Sequence, residues 1–371
     1  MSNPGKHSSR LRRARKDWVK GNRDRAARYD PEAESVAVGQ EKMRPRAIAI
    51  DGVGEIDLLP RGQVVAVESG RYDVRLDAGD TICSCRIKRG ASSQNDASTL
   101  VVVGDYVRVQ PLEGNRGLIH HVEERRTRLG RESAGREVKM EQVIAANVDL
   151  LLCVVSADRP DFRRAIVDRY IVAALLGEVE PVIIVNKIDA VQGELRRLIE
   201  EEMEIYDRLG YRLLFVSALS GAGMDAVRDI IDAKTAVLVG HSGVGKSSLA
   251  NALLGSALRR TGDVRERDRR GTHTTVDSSM MPTPGGGYLV DTPGLREFGI
   301  WDLEPGELDG YFVEFLEVHQ MCRFLPCTHT HEPGCAVIAA VEGGKIDEGR
   351  YASYLNIFAS LRNRSDVSGR R

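Results

Sequence analysis

One segment of the chain reads Gly240-His241-Ser242-Gly243-Val244-Gly245-Lys246-Ser247 and matches the pattern G-x-x-x-x-G-K-S. An apolar run of strand type, residues 236–239, comes before it, and an amphipathic run, residues 248–254, follows it. In this context the glycines let the backbone turn so that its N–H groups face phosphates. Lys246 then reaches the β- and γ-phosphates as a catalytic group, and the Ser247 hydroxyl ligates Mg²⁺. The segment predicts a phosphate-binding loop, in which we include Ser248.

Two further motifs predict that the base of the nucleotide is guanine. Asn186-Lys187-Ile188-Asp189 follows the apolar run 182–185, and Ser217-Ala218 follows the apolar run 213–216. A carboxylate such as Asp189 accepts hydrogen bonds from the ring N–H and exocyclic amine of guanine, and adenine offers neither donor there. Backbone donors at Ser217 and Ala218 are expected near the guanine carbonyl. The predicted nucleotide is therefore GTP.

A third motif, Asp291-Thr292-Pro293-Gly294, follows the apolar run 288–290. In this place Asp291 can hold Mg²⁺ through water, and the Gly294 N–H can meet the γ-phosphate. From about residue 141 onward, buried strands alternate with helices, which predicts a parallel α/β sheet. The base motifs precede the phosphate loop, whereas an ordinary GTPase runs in the opposite order. The sheet is therefore expected to be connected as a circular permutation.

Residues 269–275 are polar and without strong periodicity, as expected of a switch loop. A threonine of this loop, Thr274 or Thr275, would complete the Mg²⁺ shell, and we pair Thr275 with Ser247 as magnesium ligands. Leu295 stands where Ras-like enzymes carry a water-orienting glutamine, so His273 is the nearest catalytic substitute. The alternative interpretation of His273 is a solvated loop histidine.

Four potential metal ligands crowd into the C-terminal part of the chain: Cys322, Cys327, His329 and Cys335. Three thiolates and one imidazole make a closed tetrahedral zinc site, which leaves no position for substrate water. We predict one structural zinc ion, against the alternative of buried thiols beside surface histidines. His331 is left as a spare histidine. A helix is expected near residues 351–361.

The N-terminal part of the chain shows short, valine-rich runs separated by turn residues, at 62–67, 72–76, 81–83, 100–103, 106–109 and 117–120. This pattern favours a small antiparallel barrel, and a five-stranded OB-type barrel fits the count. An SH3-like barrel or a sandwich edge would look similar. We interpret Cys83 and Cys85 as barrel packing and residues 125–139 as a basic connector.

Composition limits the class of protein. Residues 1–28 carry ten Lys or Arg against two Asp, which leaves 43 basic and 52 acidic residues in the rest of the 371-residue chain. Such a tail suits polyanion binding, and the alternative is a solvated leader without a partner. No run approaches the roughly 20 apolar residues of a membrane span, and the N-terminus lacks the apolar core of a secretory signal. Six cysteines are too sparse for a disulfide framework. We expect a cytoplasmic protein with no membrane partner.

The whole arrangement resembles the RsgA (YjeQ) family, the small ribosomal subunit biogenesis GTPases, over roughly residues 47–365. Besides the phosphate loop, the residues that carry this resemblance are GDYV at 104–107, DTPGLREF at 291–298 and CRFLPCTHTHEPGCAV at 322–337. One departure is Val276, where the family often has a third threonine. The resemblance implies a multi-domain fold: an OB-type β-barrel (47–128), a circularly permuted P-loop GTPase domain (129–304) and a zinc-binding helical module (305–371). The basic N-terminal extension (1–46) lies outside the match, and from its composition we expect it to be disordered.

The resemblance also implies a function. The expected activity is hydrolysis of GTP to GDP and phosphate, stimulated by the small ribosomal subunit, in late maturation of that subunit. The implied partners are the subunit and its rRNA, the implied protein is cytoplasmic and mostly monomeric, and a family histidine at the place of His273 is implicated in hydrolysis. An alternative is a GTP-controlled RNA-binding assembly factor in which hydrolysis is incidental. A permuted GTPase acting on the large subunit explains the motif order but not the barrel or the Cys/His module.

Overall fold

The structure is a computed structural model that describes residues 56–79, 81–93, 101–132, 141–160, 162–255, 278–292, 299–300 and 303–368. Its strands are β1 (Arg61–Glu68), β2 (Arg71–Leu76), β3 (Ile82–Ser93), β4 (Tyr106–Leu112), β5 (Arg116–Val122), β6 (Arg128–Glu132), β7 (Glu141–Ala146), β8 (Leu150–Ser156), β9 (Glu180–Asn186), β10 (Arg212–Phe215), β11 (Thr235–Val239), β12 (Ser278–Pro282) and β13 (Tyr288–Asp291). Its α-helices are α1 (Arg164–Leu176), α2 (Gly193–Arg208), α3 (Met224–Ile231), α4 (Lys246–Leu254), α5 (Ala336–Glu342) and α6 (Glu348–Ser368). No helix within these ranges is long and apolar enough to cross a membrane.

Strands β1 to β5 form a closed barrel in the order β1-β2-β3-β5-β4, with β4 pairing back onto β1. The β3–β5 pair is parallel and the other pairs are antiparallel. Cys83 and Cys85 lie in the apolar barrel core, as predicted. A Cβ on Gly117 would come within 3.0 Å of both sulfur atoms, so the core has room only for glycine there.

The predicted strand at 100–103 is wrong for its described residues, 101–103. They form a single bridge, between Val103 and Ala145, rather than a strand. The backbone turns at this point because the Asp105 carboxylate accepts the Val102 N–H at 2.8 Å and Gly104 has a φ of +90°. Gly104 also packs so closely on Ala146 that a Cβ would lie 2.0 Å from the Ala146 oxygen.

The second part of the same sheet has the order β10-β9-β8-β11-β13-β12. Its first five strands are parallel, and β12 runs antiparallel to β13. All seven residues of β8 are buried, as expected of a strand covered on both faces. Leu150 and Leu152 face a core shared with α3 and α4, while Val155 faces a core shared with α1 and α2.

The barrel and this parallel sheet are joined edge to edge. Strand β12 pairs with β1 through Ala66 opposite Ser279 and Val67 opposite Ser278. Five residues of the predicted basic connector form β6, which makes a separate two-stranded sheet with β7. The barrel and the parallel sheet therefore form one sheet of eleven strands.

The C-terminal segment packs against α1 through a buried network of charged side chains. Arg350 of α6 donates to Asp168 of α1 at 2.6 Å and to Glu314 at 2.7 and 3.1 Å. The Tyr206 hydroxyl of α2 also donates to Asp168, at 2.7 Å. The aromatic rings of Phe312, Phe315 and Tyr354 pack beside this network. The C-terminal segment is thus fixed to the helices of the parallel sheet.

Candidate nucleotide site and metal centre

The predicted phosphate loop lies between β11 and α4, as the sequence pattern required. Its glycines are needed for close approaches as well as for the turn. A Cβ on Gly240 would lie 2.3 Å from the Val154 oxygen, and one on Gly245 would lie 2.4 Å from the Asn186 Nδ2. The Lys246 ammonium donates to the Gly240 and His241 carbonyls at 2.7 and 2.8 Å. The lysine is therefore placed at the mouth of the loop, where phosphates would bind.

The two predicted base motifs are hydrogen-bonded to each other and to the phosphate loop. The Asn186 side chain, 2% exposed, donates to the Val244 carbonyl at 3.0 Å and accepts the Ala218 N–H at 3.1 Å. Lys187, in the left-handed region with a φ of +65°, donates from Nζ to the Gly243 carbonyl at 2.7 Å. Two side chains thus hold three separate loops in one arrangement.

The remaining predicted contacts occupy the same edge of the sheet. Asp189 is exposed in the short 3-10 turn Ile188–Ala190, and Ser217 is buried at the end of β10. Asp291 ends β13, which pairs in parallel with β11, so both strands point toward the phosphate loop. Ser247 and Ser248 are exposed in the first turn of α4. The carboxyl ends of parallel strands are where such sheets bind ligands.

Part of the predicted site lies outside the described residues. These are His273, Thr274, Thr275 and Gly294. Their roles in catalysis, magnesium binding and γ-phosphate contact stay predictions.

One residue beside the predicted base motif was not singled out from the sequence. Leu219, directly after Ser217 and Ala218, is 88% exposed. In the sequence, Leu219 could have been noticed as a large apolar residue between small and polar ones.

The four predicted zinc ligands converge. The ligand atoms of Cys322, Cys327, His329 and Cys335 lie within 4.8 Å of one another. The Cys322 and Cys335 sulfurs are 3.9 Å apart, and the His329 Nδ1 is 3.6 and 3.4 Å from them. A tetrahedral ion with zinc–sulfur bonds of about 2.3 Å requires sulfur atoms about 3.8 Å apart. The donor set and its spacing therefore fit zinc.

A carboxylate that the sequence reasoning missed orients the histidine of this cluster. The other ring nitrogen of His329, Nε2, lies 3.3 Å from the Asp309 Oδ2, and both side chains are buried. A carboxylate behind a ligating histidine fixes the ring and its tautomer. Burial, together with the neighbouring Cys335 and Cys322, raises the pKa of the Cys327 thiol. A divalent cation would offset that cost by binding the thiolate form.

The loop between the cysteines is held by a second carboxylate. Glu332 accepts hydrogen bonds from the Thr328 N–H at 2.8 Å and the Thr330 N–H at 3.1 Å. Burial alone would raise the pKa of Glu332, but the hydrogen bonds, chiefly those from Thr328, lower it to about 2. The loop is therefore braced by a charged carboxylate at neutral pH.

Comparisons with known proteins agree with this geometry. A family model described as RsgA GTPase matches residues 122–301. The small ribosomal subunit biogenesis GTPase RsgA of Chlorobaculum parvum is 41% identical over 307 residues, which cover 81% of this chain and 97% of that protein. The protein of the same name from Shewanella oneidensis is 36% identical over 358 residues, covering 95% of this chain and 93% of that protein.

Two solved structures are similar as well. YjeQ from Thermotoga maritima aligns with a TM-score of 0.66 at 33% identity, covering 81% of this chain and 98% of that chain. YloQ, described as a circularly permuted GTPase, aligns with a TM-score of 0.63 at 28% identity, and the alignment covers 84% of this chain and 98% of that chain. The strand order, the order of the motifs along the chain and these similarities agree. The chain belongs to the RsgA family of circularly permuted GTPases.

Proposed function

We propose that this protein binds the small ribosomal subunit, acts in its late maturation, and hydrolyses GTP to GDP and phosphate with stimulation by the subunit. The observation that carries this proposal is the position of Asn186, which hydrogen-bonds at once to Val244 of the phosphate loop and to Ala218 of the second base motif. These bonds hold the guanine-reading and phosphate-binding loops ready for one nucleotide. The names of the relatives supply the ribosomal partner.

At the nucleotide, each residue has a separate task. Asp189 reads the guanine donors, and the N–H groups of the phosphate loop hold the phosphates. Mg²⁺ supplies charge neutralisation at the β- and γ-phosphate oxygens when it is bound. Ser247 and Asp291 would hold it, with Thr275 as the proposed further ligand. His273 remains the proposed water-positioning residue.

The barrel is proposed to be of the OB type and to contact rRNA. The OB-type assignment is supported by the closed order β1-β2-β3-β5-β4. Contact with rRNA is supported by the exposed side chains of Arg86, Lys88 and Arg89 on β3, with Arg116 on the parallel neighbour β5. Clustered basic side chains on one barrel surface neutralise phosphates of a nucleic acid.

The C-terminal segment is proposed to be a structural zinc module. We propose domain divisions at 1–46, 47–128, 129–304 and 305–371, and a cytoplasmic monomer. The zinc proposal is supported by the ligand spacing and by the Asp309–His329 contact described above. Because the ligand set is closed, zinc would stabilise the fold of this segment rather than act on GTP.

The experiment that tests the proposal measures GTP turnover with purified small subunits, with large subunits, and alone. We expect the small subunit to raise kcat, and Lys246→Ala to abolish the stimulated reaction. If GTP changes the affinity for the small subunit while the subunit leaves turnover unchanged, the protein is an assembly factor with incidental hydrolysis. Stimulation by large subunits alone would refute the choice of partner.

A further inference from the structure

A short loop of the Cys/His cluster carries exposed apolar side chains. This loop, residues 322–327, begins and ends at a predicted zinc ligand. Phe324 is 48% exposed, Leu325 is 46% exposed, and Met321, just before the loop, is 64% exposed. These are three of the nine large apolar side chains that are exposed in the described ranges, and Phe324 is the only aromatic one among the nine. Exposed apolar side chains that are grouped in one place mark an interaction site more often than scattered ones do.

The 322–327 loop is held at both of its ends. Near its start, the Arg323 N–H donates to the Gly334 carbonyl at 3.1 Å. Directly after its end, the Thr328 carbonyl accepts a hydrogen bond from the Tyr354 hydroxyl of α6 at 2.7 Å. The exposed side chains therefore stand on a backbone that is fixed before a partner binds, and binding does not have to order the loop.

An arginine side chain lies beside the exposed aromatic ring. The Arg323 guanidinium carbon is 5.3 Å from the centre of the Phe324 ring, which is within the range of a cation–π contact. The Arg323 stem packs on Gly334, where an added Cβ would lie 3.1 Å from the Arg323 Cβ and 3.3 Å from its Cδ. Arg323 is exposed and forms no ion pair with another residue of the described ranges. The loop thus presents an aromatic ring and a planar cation side by side.

A ring next to an arginine is suited to an unpaired nucleotide of RNA. Proteins that recognise single-stranded RNA stack its bases on aromatic rings and on guanidinium planes. Every base has a face that can stack, and a guanidinium can donate hydrogen bonds to the adjacent phosphate. The apolar side chains alone would suffice to fill an apolar pocket on a protein. The contact between Arg323 and Phe324 therefore favours RNA over a protein as the partner of this loop.

We propose that Phe324 and Arg323 form a stacking platform for an unpaired base of the small-subunit rRNA. The base lies against the Phe324 ring, and the Arg323 guanidinium donates hydrogen bonds to a phosphate of the same strand. Leu325 and Met321 exclude water from the edge of the stack. This inference rests on the proposed function, in which the names of the relatives supply the subunit. It adds an RNA contact on the C-terminal segment to the one proposed for the barrel.

The test measures binding of the full chain, with a non-hydrolysable GTP analogue, to purified small subunits. Phe324→Ala should weaken binding about tenfold, since removal of one stacked ring has an effect of that order. Phe324→Trp should retain binding because its ring still stacks, whereas Phe324→Leu should bind as weakly as Phe324→Ala. The matched control is Leu198→Ala on α2, which removes a side chain that is 55% exposed and should leave binding unchanged.

A second measurement separates the cation from the ring. Arg323→Gln should weaken binding and make the slope of log binding constant against log salt concentration shallower by about 0.7–0.9, as expected for the loss of one phosphate contact. Phe324→Ala should leave this slope unchanged, because the ring carries no charge. The control Arg197→Gln, which removes an exposed arginine of α2, should also leave the slope unchanged.

The variants are compared only where circular dichroism and GTP affinity match those of the wild-type protein. Wild-type affinity of Phe324→Leu would overturn the proposal, because the loop would then fill an apolar pocket on a ribosomal protein. Wild-type affinity of Phe324→Ala, or an unchanged salt slope for Arg323→Gln, would overturn it as well. These results leave the proposed function intact as long as the wild-type protein binds small subunits. If the wild-type protein binds none, the proposed function itself is wrong, and this inference fails with it.

Discussion

Replacing Arg350 by methionine should loosen the attachment of the C-terminal segment to α1. The substitution removes the hydrogen bond to Asp168 at 2.6 Å and those to Glu314 at 2.7 and 3.1 Å. Burial opposes the charge of Arg350, but the adjacent Glu314 and Asp168 hold its pKa well above the usual value. The fully buried Asp168 and the largely buried Glu314 would therefore both lose their cationic partner.

The expected loss of stability depends on which hydrogen bonds to the carboxylates remain after the substitution. Removing one partner of a buried ion pair costs about 3–5 kcal/mol. The Asp168 side chain is completely buried, but the Tyr206 hydroxyl still donates to it at 2.7 Å. We therefore expect a loss at the lower end of this range, about 3 kcal/mol. At 1.4 kcal/mol per tenfold change, this loss is about a 10²-fold increase in the equilibrium constant for local opening of the two helices.

The assay is amide hydrogen exchange in α1 and α6 under native conditions. This method reports local opening free energies and does not need two-state unfolding, which a chain of 371 residues does not guarantee. The control is Arg197→Met, which breaks only an exposed pair with Glu201 and should cost less than about 0.5 kcal/mol. Adding Asp168→Asn to Arg350→Met should recover part of the stability, because it removes the unpaired charge. If Arg350→Met changes exchange no more than the control does, the buried network does not hold the two parts together.

Three further predictions concern the nucleotide, the metal and the N-terminal tail. Asp189→Asn should weaken the binding of GTP far more than that of xanthosine triphosphate, because an amide reverses the preference for the exocyclic group of the base. Equal losses of affinity for the two nucleotides in a competition assay would contradict the base-reading role of Asp189. Cys327→Ser should lower the zinc content and destabilise the C-terminal segment while leaving GTP affinity largely intact. If metal analysis finds no stoichiometric zinc in the wild-type protein, the proposed zinc site is wrong. Deletion of residues 1–28 should make the binding of the small subunit less dependent on salt. The slope of log binding constant against log salt concentration should become shallower by about 0.7–0.9 for each phosphate that the tail neutralises. An unchanged slope would indicate that the tail is a solvated leader.

The positions of the three motif loops could be predicted from sequence because each motif directly follows a strand. Apolar runs fixed the positions of β9, β10, β11 and β13, and parallel strands bring their carboxyl ends to one edge. The Cys/His cluster could be predicted because all four of its residues lie within one short segment. In both cases the chemistry is local in the chain, and the fold only has to bring a few short segments together.

Other features depend on contacts between distant residues and left no local pattern. Asp309 lies 20 residues before His329, the residue it orients. Arg350 lies just before the predicted helix at 351–361, and nothing near it in the sequence indicates that its side chain is buried against Asp168 and Glu314. Strand β12 reads Ser-Ser-Met-Met-Pro, without the alternation of a half-buried strand, and is ordered by pairing with its neighbours. Nothing in the sequence indicates that the backbone carbonyl of Arg159 accepts a hydrogen bond from the Lys187 ammonium, 28 residues further along the chain.

The pairing of β12 with β1 has a consequence for how this molecule meets other chains. An open sheet normally ends in a strand with unpaired N–H and C=O groups, to which a strand of another chain can add. Here β12 is covered on one side by β13 and on the other by β1, whose own barrel closes on itself. In the described strand order β10 is the terminal strand of the parallel part of the sheet. Within the described eleven-stranded sheet, association by strand addition would therefore take place at β10, next to Ser217 and Ala218, and would place the partner beside the predicted guanine-reading loop.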